Sequence, residues 1–387
     1  MKTIEHAGKL FGKTVLLRAD FNVSMKGRKI LDNYKIKKTL GTINFLVERG
    51  AKVVIVSHLG RPEKVEAALS LKPVAVELGK FLQKNVPVLS VLDLAKSKKQ
   101  IEKLPVGTVV MLENIRFAKG ERDNSLKFTN ELVSLADLFV LDGFGVAHRQ
   151  SPSVTGVAKY LPAYAGLLLE EELTGLTQVM KKPKRPLVLV LGGIKVETKI
   201  GVLKNFLSKA DHILLGGGIF NTYLWAKGYK VGVSMVNKKF KKEVLDYVPK
   251  KKVILPVDVV VGTAKGKMAM AMPIKALKMK KDLGMFDIGP ETVKLFSRYI
   301  KKAKTIVWNG ALGYFEQHPY QYSTYSIARV IASQSKRHAY GVAGGGETIT
   351  ILQNLKVLSD IDLPSTGGGS MLEYLSGKKL PGLDALK

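Results

Sequence analysis

Two lysines that follow a buried strand and a pair of glycines are the residues best suited to chemistry in this sequence. The strand is the aliphatic run Leu187–Leu191, and Gly192-Gly193 follow it directly. Lys195 and Lys199 are four residues apart, which would place both on one face of a helix. A glycine turn before a helix N-terminus lets a phosphate approach the main chain. The stretch therefore indicates a phosphate site, although a plain strand-to-helix turn with two surface lysines fits it equally well.

Polar and mostly charged side chains follow the predicted strands of the first half. They are Asp20, Asn22, His58, Arg61, Glu113, Asn114, Arg116, Asp142, His148 and Arg149. Arginines present forked donors that match carboxylate and phosphate oxygens. Because ligands bind beyond the carboxyl ends of parallel strands, Arg61, Arg116 and Arg149 could converge on a small, strongly anionic molecule. Each of them could equally be a salt-bridge residue, and His58 could be structural.

Glycines follow the predicted strands of the second half. The turns are Gly192-Gly193, Gly216–Gly218, Asn309-Gly310, Gly344–Gly346 and Gly367–Gly369. Such turns let backbone N–H groups and a flat ring lie against the main chain, as a nucleotide requires, although any one of them is more often plain strand-to-helix geometry. An anion in one half and a nucleotide in the other suggest phosphoryl transfer across a cleft, driven by positioning and charge neutralisation.

The elements that position these residues alternate between strand and helix. Strands are predicted to start near residues 14, 52, 108 and 138, and again near 187, 212, 253, 305 and 339. A composition change at 151–161 precedes a helical run from Pro162 to Met180. We predict an α/β fold with two doubly wound, Rossmann-like parallel-sheet domains, at 1–160 and 183–371, joined by an interdomain helix at 161–182.

Composition limits the class of protein. The absence of cysteine excludes disulfides, thiolate metal sites and cysteine nucleophiles. No run of about 18 apolar residues and no signal-peptide pattern is present, which predicts a cytoplasmic protein. A net charge of +30 would suit a nucleic-acid binder, but the lysines are spread along all 387 residues and aromatic residues make up only 7%. Solvated lysine-rich faces explain the charge better, so nucleic acid is an unlikely partner.

Two further motifs, a P-loop and a dinucleotide-binding fingerprint, are not supported by the sequence. The stretch from Gly8 to Thr14 resembles a phosphate-binding P-loop, but its glycines are one residue too close and a strand follows it. No G-x-G-x-x-G fingerprint follows the first strand of either half, which argues against a nicotinamide-dependent dehydrogenase. A basic nucleic-acid-binding protein without catalysis remains the other alternative.

Segments along essentially the whole chain closely resemble those of the phosphoglycerate kinase family, in the family's order. In the first half they are Arg18–Val23, Ser57–Pro62, Leu112–Phe117 and Asp142–Arg149. In the second half they are Leu191–Val196, Gly216–Gly218, Asp287–Pro290, Trp308–Gly310, Gly344–Gly346 and Ser365–Gly369. The resemblance implies reversible phosphoryl transfer from 1,3-bisphosphoglycerate to Mg-ADP, giving 3-phosphoglycerate and ATP. It also implies a monomer with hinge-bending domains, whose C-terminal tail, residues 372–387, packs on the first domain.

The resemblance assigns roles to individual residues. The substrate-binding residues would be Asp20, Asn22, Lys35, His58, Arg61, Arg116 and Arg149. The nucleotide-binding residues would be Gly193, Lys195, Lys199, Gly217, Asn309, Glu316, Gly344, Gly345, Gly346, Glu347 and Thr348. The catalytic residues would be Lys195, which would neutralise the transferring group, with Lys35, Gly345 and Gly368. Glu347 would be associated with the Mg²⁺ ion.

Four positions depart from the family pattern. Lys35 stands where the family has an arginine, and Lys keeps the charge but not the forked donor. Glu347 replaces the usual aspartate, and its extra methylene would change metal geometry. Ile194 and Ala311 replace an alanine and a proline near the adenine position.

Overall fold

The computed structural model describes residues 1–277 and 279–387. The chain forms two compact units: unit 1 comprises residues 1–173 and 379–387, and unit 2 comprises residues 174–378. Each unit contains a six-stranded sheet in which all paired strands are parallel. The predicted pair of parallel-sheet α/β domains is therefore confirmed.

The strands are β1 (Thr14–Arg18), β2 (Met25–Lys26), β3 (Lys29–Ile30), β4 (Lys52–Val56), β5 (Val88–Leu89), β6 (Val109–Leu112), β7 (Leu138–Leu141), β8 (Ala163–Ala165), β9 (Leu187–Leu191), β10 (His212–Leu215), β11 (Val253–Ile254), β12 (Asp258–Gly262), β13 (Met270–Pro273), β14 (Gly284–Ile288), β15 (Thr305–Asn309), β16 (Tyr340–Gly344) and β17 (Leu363–Ser365). The α-helices are α1 (Tyr34–Glu48), α2 (Lys72–Leu82), α3 (Leu94–Glu102), α4 (Lys119–Arg122), α5 (Leu126–Val133), α6 (Leu167–Lys181), α7 (Val196–Lys209), α8 (Gly217–Ala226), α9 (Lys241–Tyr247), α10 (Pro290–Lys302), α11 (Tyr322–Ser335), α12 (Gly346–Asn354), α13 (Gly369–Leu375) and α14 (Pro381–Asp384).

The sheet of unit 1 has the strand order β5-β6-β4-β1-β7-β8. Strands β6 and β7 are buried along their whole length, and β1 and β4 at every position after the first, because helices cover both faces of a parallel sheet. These four strands are neighbours, so the polar residues that follow them lie along one edge of the sheet.

The sheet of unit 2 has the order β11-β10-β9-β15-β16-β17. The neighbours β10, β9, β15 and β16 are followed by the glycine turns. A separate antiparallel sheet, β13-β12-β14, was not predicted. A single strand was expected across Val253–Asp258, but Pro256 lacks an N–H group and the chain divides there into β11 and β12.

The connecting segment differs from its prediction at its start. Residues 163–165 form strand β8 beside β7, and α6 begins only after Gly166. The Asp142 carboxylate caps this helix, because its Oδ1 accepts hydrogen bonds from the N–H groups of Leu168 at 3.0 Å and Leu169 at 3.2 Å. The boundary between the two units falls within α6.

The C-terminal tail, predicted to join unit 1 from residue 372, joins it only from residue 379. Residues up to 378 belong to unit 2, because α13 packs on α7 and the Asn205 side chain donates to the Leu375 carbonyl at 2.6 Å. Helix α14 belongs to unit 1, where the Gly382 N–H donates to the Ala147 carbonyl at 2.8 Å. Within the described residues, no helix combines the length and apolar character needed to cross a membrane.

Asp287 in β14 makes the stability of unit 2 depend on pH. Its Oδ2 accepts from the Ser323 N–H at 3.0 Å, and burial raises its pKa to about 7. Because the folded state binds this proton more tightly than the unfolded state, stability should fall as the pH rises from about 4 to about 7. We expect Asp287→Asn to remove this pH-dependent loss of stability, whatever the absolute stability of the variant.

Denaturant titrations followed by tryptophan fluorescence measure this effect in unit 2, since both tryptophans of the chain, Trp225 and Trp308, lie there. Asp282→Asn changes an exposed aspartate of the same unit and should keep the pH dependence of the unmodified chain. An equally steep fall in the Asp287 variant would contradict the assignment.

Candidate active site

A lysine, an aspartate and a histidine form the charged centre of the unit 1 edge. Lys35 lies in the first turn of α1, and its Nζ contacts Asp20 Oδ2 at 2.7 Å. His58 Nδ1 lies 4.0 Å from Asp20 Oδ1, and both side chains are buried. Burial opposes ionisation of Asp20, but the Lys35 ammonium holds the pKa of that carboxyl well below its usual range. Burial holds the pKa of His58 well below its usual value, so this ring is neutral at pH 7.

Four arginines converge beside this centre. Arg116 is half-buried, and its guanidinium donates to the Gly60 carbonyl. Burial, together with the nearby Arg149, Arg18 and Arg61, lowers the pKa of Arg116 to about 10. Arg61, Arg116 and Arg149, which were predicted to converge on an anion, therefore lie near one another. Their mutual repulsion favours binding of a multiply charged anion.

Arg18 belongs to the same network, although no role was predicted for it. It is fully buried, and its Nε donates to Ser153 Oγ at 3.0 Å. Ser153 Oγ in turn donates to Glu121 Oε1 at 2.7 Å. An arginine at the end of a largely apolar strand is a signal that could have marked Arg18. Nothing in their local sequence marks Glu121 or Ser153, which reach the network only through the fold.

Asn22 supports the loop that carries Arg61. Its side-chain Oδ1 accepts from the Gly60 N–H at 2.9 Å, while its own N–H donates to Asp20 Oδ1 at 3.1 Å. Asn22 and Arg61 are exposed at this edge. All seven predicted substrate residues of unit 1 lie in the segments that follow neighbouring strands of the sheet or in the first turn of α1.

The turns of unit 2 pack main chain against main chain. The Gly193 N–H donates to the Ala311 carbonyl at 2.6 Å, and the Gly218 N–H donates to the Gly193 carbonyl at 2.9 Å. A Cβ atom at Gly217 would lie 2.8 Å from Gly193 O, which is closer than real Cβ contacts. Gly193 itself has φ +86°, a conformation that favours glycine. Side chains are therefore excluded from this part of the edge.

Lys195 and Lys199 have different environments, contrary to the expectation that one helix face carries both. Lys195 is exposed and has an extended backbone, because α7 begins only at Val196. Lys199 is buried, and its Nζ donates to Asn309 Oδ1. Burial lowers the pKa of Lys199 to about 8, with Lys195 adding to the shift and Glu347 opposing it.

The N-terminus of α12 completes the site. Asn309 Nδ2 donates to the Gly344 carbonyl at 2.7 Å, and Thr348 Oγ1 accepts from the Gly310 N–H at 2.8 Å. Gly345, with φ +95°, precedes the helix, and a Cβ atom at Gly346 would meet nothing within 4 Å. There is therefore open space beside this helix N-terminus, as an anion requires. Gly368 precedes α13 in the same way, after the edge strand β17.

A cavity of about 390 Å³ adjoins these turns. Its walls include the apolar side chains of Ile194, Phe220, Met235, Val259, Met285, Phe286, Leu312 and Phe315, and also Gly193, Gly217, Glu316 and Glu347. A cavity of this size and apolar character suits a flat aromatic base. A Cβ atom at Gly193 would lie 3.2 Å from Glu347 Oε2 and 3.4 Å from Lys199 Cε, so the charged groups lie next to the cavity.

The donor set limits which metal site is possible. No group of three or more His, Cys, Asp or Glu side chains that could hold a metal occurs among the described residues. Glu347 offers a half-buried carboxylate at the cavity wall, and its Oε2 accepts from the Ala311 N–H at 3.3 Å. Mg²⁺ commonly binds one or two carboxylates together with substrate phosphates, and this arrangement fits that pattern.

Comparison with known proteins identifies the family. The family model described as phosphoglycerate kinase matches residues 4–378. The chain belongs to the phosphoglycerate kinase family. It is 42% identical to phosphoglycerate kinase of Dictyoglomus turgidum over 384 residues, covering 98% of this chain and 96% of the relative. It is 41% identical to the enzyme of Bifidobacterium longum over 401 residues, covering all of both chains.

Solved structures agree with this assignment. The fold is similar to that of phosphoglycerate kinase from Coxiella burnetii, with a TM-score of 0.85, 36% identity and coverage of 99% and 98% of the two chains. It is also similar to the Pyrococcus horikoshii enzyme, with a TM-score of 0.89, 31% identity and coverage of 100% and 98%.

Family membership establishes the function at the level of the reaction. The protein is a phosphoglycerate kinase, a glycolytic phosphotransferase whose acceptor is a carboxyl group, with 3-phosphoglycerate and ADP or ATP as its small-molecule substrates. This function is adopted in place of the two alternatives, a nicotinamide-dependent dehydrogenase and a basic nucleic-acid-binding protein.

The Lys35–Asp20 pair should stabilise unit 1 only while Asp20 is ionised. Lys35→Met leaves a buried carboxylate without its ammonium partner, so we expect a loss of about 1–3 kcal/mol of unfolding free energy at neutral pH. Because the folded pKa of Asp20 is depressed, the loss should shrink as the pH falls below about 4.

Denaturant titrations followed by far-UV circular dichroism measure this difference. Lys35→Arg keeps a cation beside Asp20 and is the matched control. A loss of stability that is the same in acid, or equal in the arginine variant, would contradict the role of the ion pair.

Proposed function

We propose that unit 1 binds the phosphoglycerate and unit 2 binds the nucleotide, for reversible transfer of the acyl phosphate of 1,3-bisphosphoglycerate to Mg-ADP. The observation that carries this proposal is the group of arginines around Arg116, whose pKa is lowered by burial and by three neighbouring arginines. Like charges held this close need an anion of several charges to balance them. Both phosphoglycerates carry two anionic groups, so they meet that need.

In unit 1, side-chain cations orient the substrate. Arg61, Arg116 and Arg149 present forked donors to its phosphate and carboxylate oxygens. His58 is neutral at pH 7 and acts as a hydrogen-bonding partner instead of an acid. Asp20 and Asn22 complete this substrate site. The acceptor is a phosphate of ADP in this direction and the carboxylate of 3-phosphoglycerate in reverse; both are already ionised, so the reaction needs no general base.

Lys35 and Lys195 supply positive charge to the phosphoryl group in transit. Lys195 is exposed and free of the contact that holds Lys199 to Asn309, so its ammonium can follow the moving group. Lys35 adds a second charge from the first turn of α1. Stabilisation of developing negative charge by fixed cations is the main source of catalysis in phosphoryl transfer.

In unit 2, the nucleotide lies with its base in the apolar cavity and its phosphates at the N-terminus of α12. Glu316 and Gly217 line the base and sugar end, while Lys199 and Asn309 lie at the phosphate end with Thr348. The main-chain N–H groups of Gly345, Gly346 and Gly368 donate to phosphate oxygens, so Gly345 and Gly368 take a catalytic part, and Gly344 ends the strand that leads into this turn. Glu347 would hold Mg²⁺, which would neutralise nucleotide phosphate charge.

We infer that the protein acts as a cytoplasmic monomer, in line with its glycolytic function, and that hinge bending accompanies turnover. Excluding water protects an acyl phosphate from hydrolysis, which is the physical reason to expect such a motion.

Lys195→Ala tests the catalytic assignment. We expect kcat to fall by at least about 100-fold, because a charge that acts mainly in the transition state is lost. The dissociation constant for 3-phosphoglycerate should change little, since unit 1 is untouched. A coupled assay with ADP and with GDP, together with calorimetry, measures both quantities.

Lys204→Ala is the control for this experiment, because Lys204 is an exposed lysine further along α7. It should keep the activity of the unmodified chain. Undiminished turnover in the Lys195 variant would remove this residue from the mechanism, and a chain that forms no ATP from either nucleotide would overturn the proposed reaction.

Lys199 predicts a pH dependence of nucleotide binding. Because burial lowers its pKa to about 8, its positive charge is lost as the pH rises through that value. Affinity for ATP should therefore fall between about pH 7 and about pH 9, and Lys199→Arg should flatten this fall, since arginine stays protonated. Titration calorimetry measures the affinities. Lys204→Arg should keep the original pH dependence, and an unchanged profile in Lys199→Arg would exclude Lys199 as its source.

A further inference from the structure

One loop of unit 1 carries Arg61 and is exposed through most of its length. It runs from Leu59, just after β4, to Leu69 at the end of the short 3-10 turn Ala67–Leu69. Residues 63–68 are all exposed to solvent. Such a segment has few contacts of its own, so its order depends on how its two ends are held.

A single buried amide holds both ends. Asn114, which follows β6, has no exposed surface. Its Nδ2 donates to the Leu59 carbonyl and to the Leu69 carbonyl, each at 2.8 Å. Its Oδ1 accepts from the Leu59 N–H at 3.3 Å and from the Arg116 N–H at 3.2 Å. The side chain therefore uses both of its hydrogens and both of its lone pairs.

Other contacts strengthen the same two ends. The Glu113 carboxylate accepts from Ser70 Oγ at 2.6 Å and from the Leu71 N–H at 2.7 Å. At the other end, the Arg116 guanidinium donates to the Gly60 carbonyl. Two consecutive residues, Glu113 and Asn114, thus connect the end of β6 to the loop that carries Arg61.

We propose that Asn114 is a positioning residue for phosphoglycerate binding. Its amide fixes the loop that carries Arg61 and the backbone of Arg116 at the same time, so it sets the separation of the backbone segments that carry the two arginines before a ligand arrives. This inference rests on the proposed substrate-binding function of those arginines. A site that is ordered in advance spends less binding free energy on ordering its side chains.

Neither aspartate nor alanine can replace this amide. Aspartate is the same size but has no N–H groups, and its charge would face the carbonyl oxygens of Leu59 and Leu69. Alanine removes all four hydrogen bonds without introducing a charge. Both substitutions leave the two carbonyl groups without their buried donors, which releases the loop.

The test compares Asn114→Asp with Asn205→Asp, the same change at an amide of unit 2 that donates to the Leu375 carbonyl. We expect the dissociation constant for 3-phosphoglycerate to rise on the order of tenfold in Asn114→Asp, as the loss of one or two buried hydrogen bonds implies. The constant for ATP should not change. Hydrogen exchange should accelerate within residues 59–71, and the Asn205 variant should leave both this exchange and 3-phosphoglycerate binding unchanged.

Asn114→Ala provides the same comparison if the aspartate variant does not fold. An unchanged affinity for 3-phosphoglycerate, with or without faster exchange, would overturn the positioning role. In that outcome, the 3-phosphoglycerate affinities of Arg61→Ala and Arg116→Ala show whether the proposed substrate site is correct. If both lose affinity, the proposed substrate site stands without Asn114, and if both bind normally, the substrate site is wrong as well.

Discussion

The burial of the sheet strands on both faces is the constraint on which the rest of this structure depends. Strands such as β6 and β9 have no exposed position, so an ionised side chain along them would lose its hydration without compensation. Polar residues are therefore confined to the ends of the strands, where the chain turns. Arg18 is buried at the end of β1, and it is tolerated there because Ser153 and backbone carbonyls bind its guanidinium.

The two units use this shared edge in opposite ways. In unit 1, long cationic side chains extend from the turns, and their mutual repulsion is balanced only in part by Asp20 and Glu121. In unit 2, glycine removes the side chains, so main-chain groups line the turns, with Lys199 and Asn309 buried beside them. The first arrangement attracts a small, highly charged molecule. The second admits a larger one that has both a flat apolar part and a charged part.

Much of this organisation was predictable from sequence, because aliphatic runs and the residues after them are local signals. The sheets and the arginine cluster were predicted in this way. The different environments of Lys195 and Lys199 were not, since the burial of Lys199 depends on Asn309, which is distant in sequence. The capping of α6 by Asp142 and the contacts of Asn114 with Leu59 and Leu69 were also missed, because these partners are distant in sequence. The late start of α6 followed from strand pairing, which outweighed helix propensity at residues 163–165.

The main-chain packing of the glycine turns bears on inhibition. Because Gly217 and Gly310 leave no room for side chains, and the backbone conformation of Gly193 disfavours one, a compound bound here meets carbonyl and amide groups of the backbone itself. Amino-acid replacement cannot remove those groups, and adding a side chain at these positions would distort the turns of the proposed nucleotide site. Resistance to such a compound would therefore have to arise at the apolar wall of the cavity, for example at Ile194 or Met235, where a change of shape leaves the backbone intact.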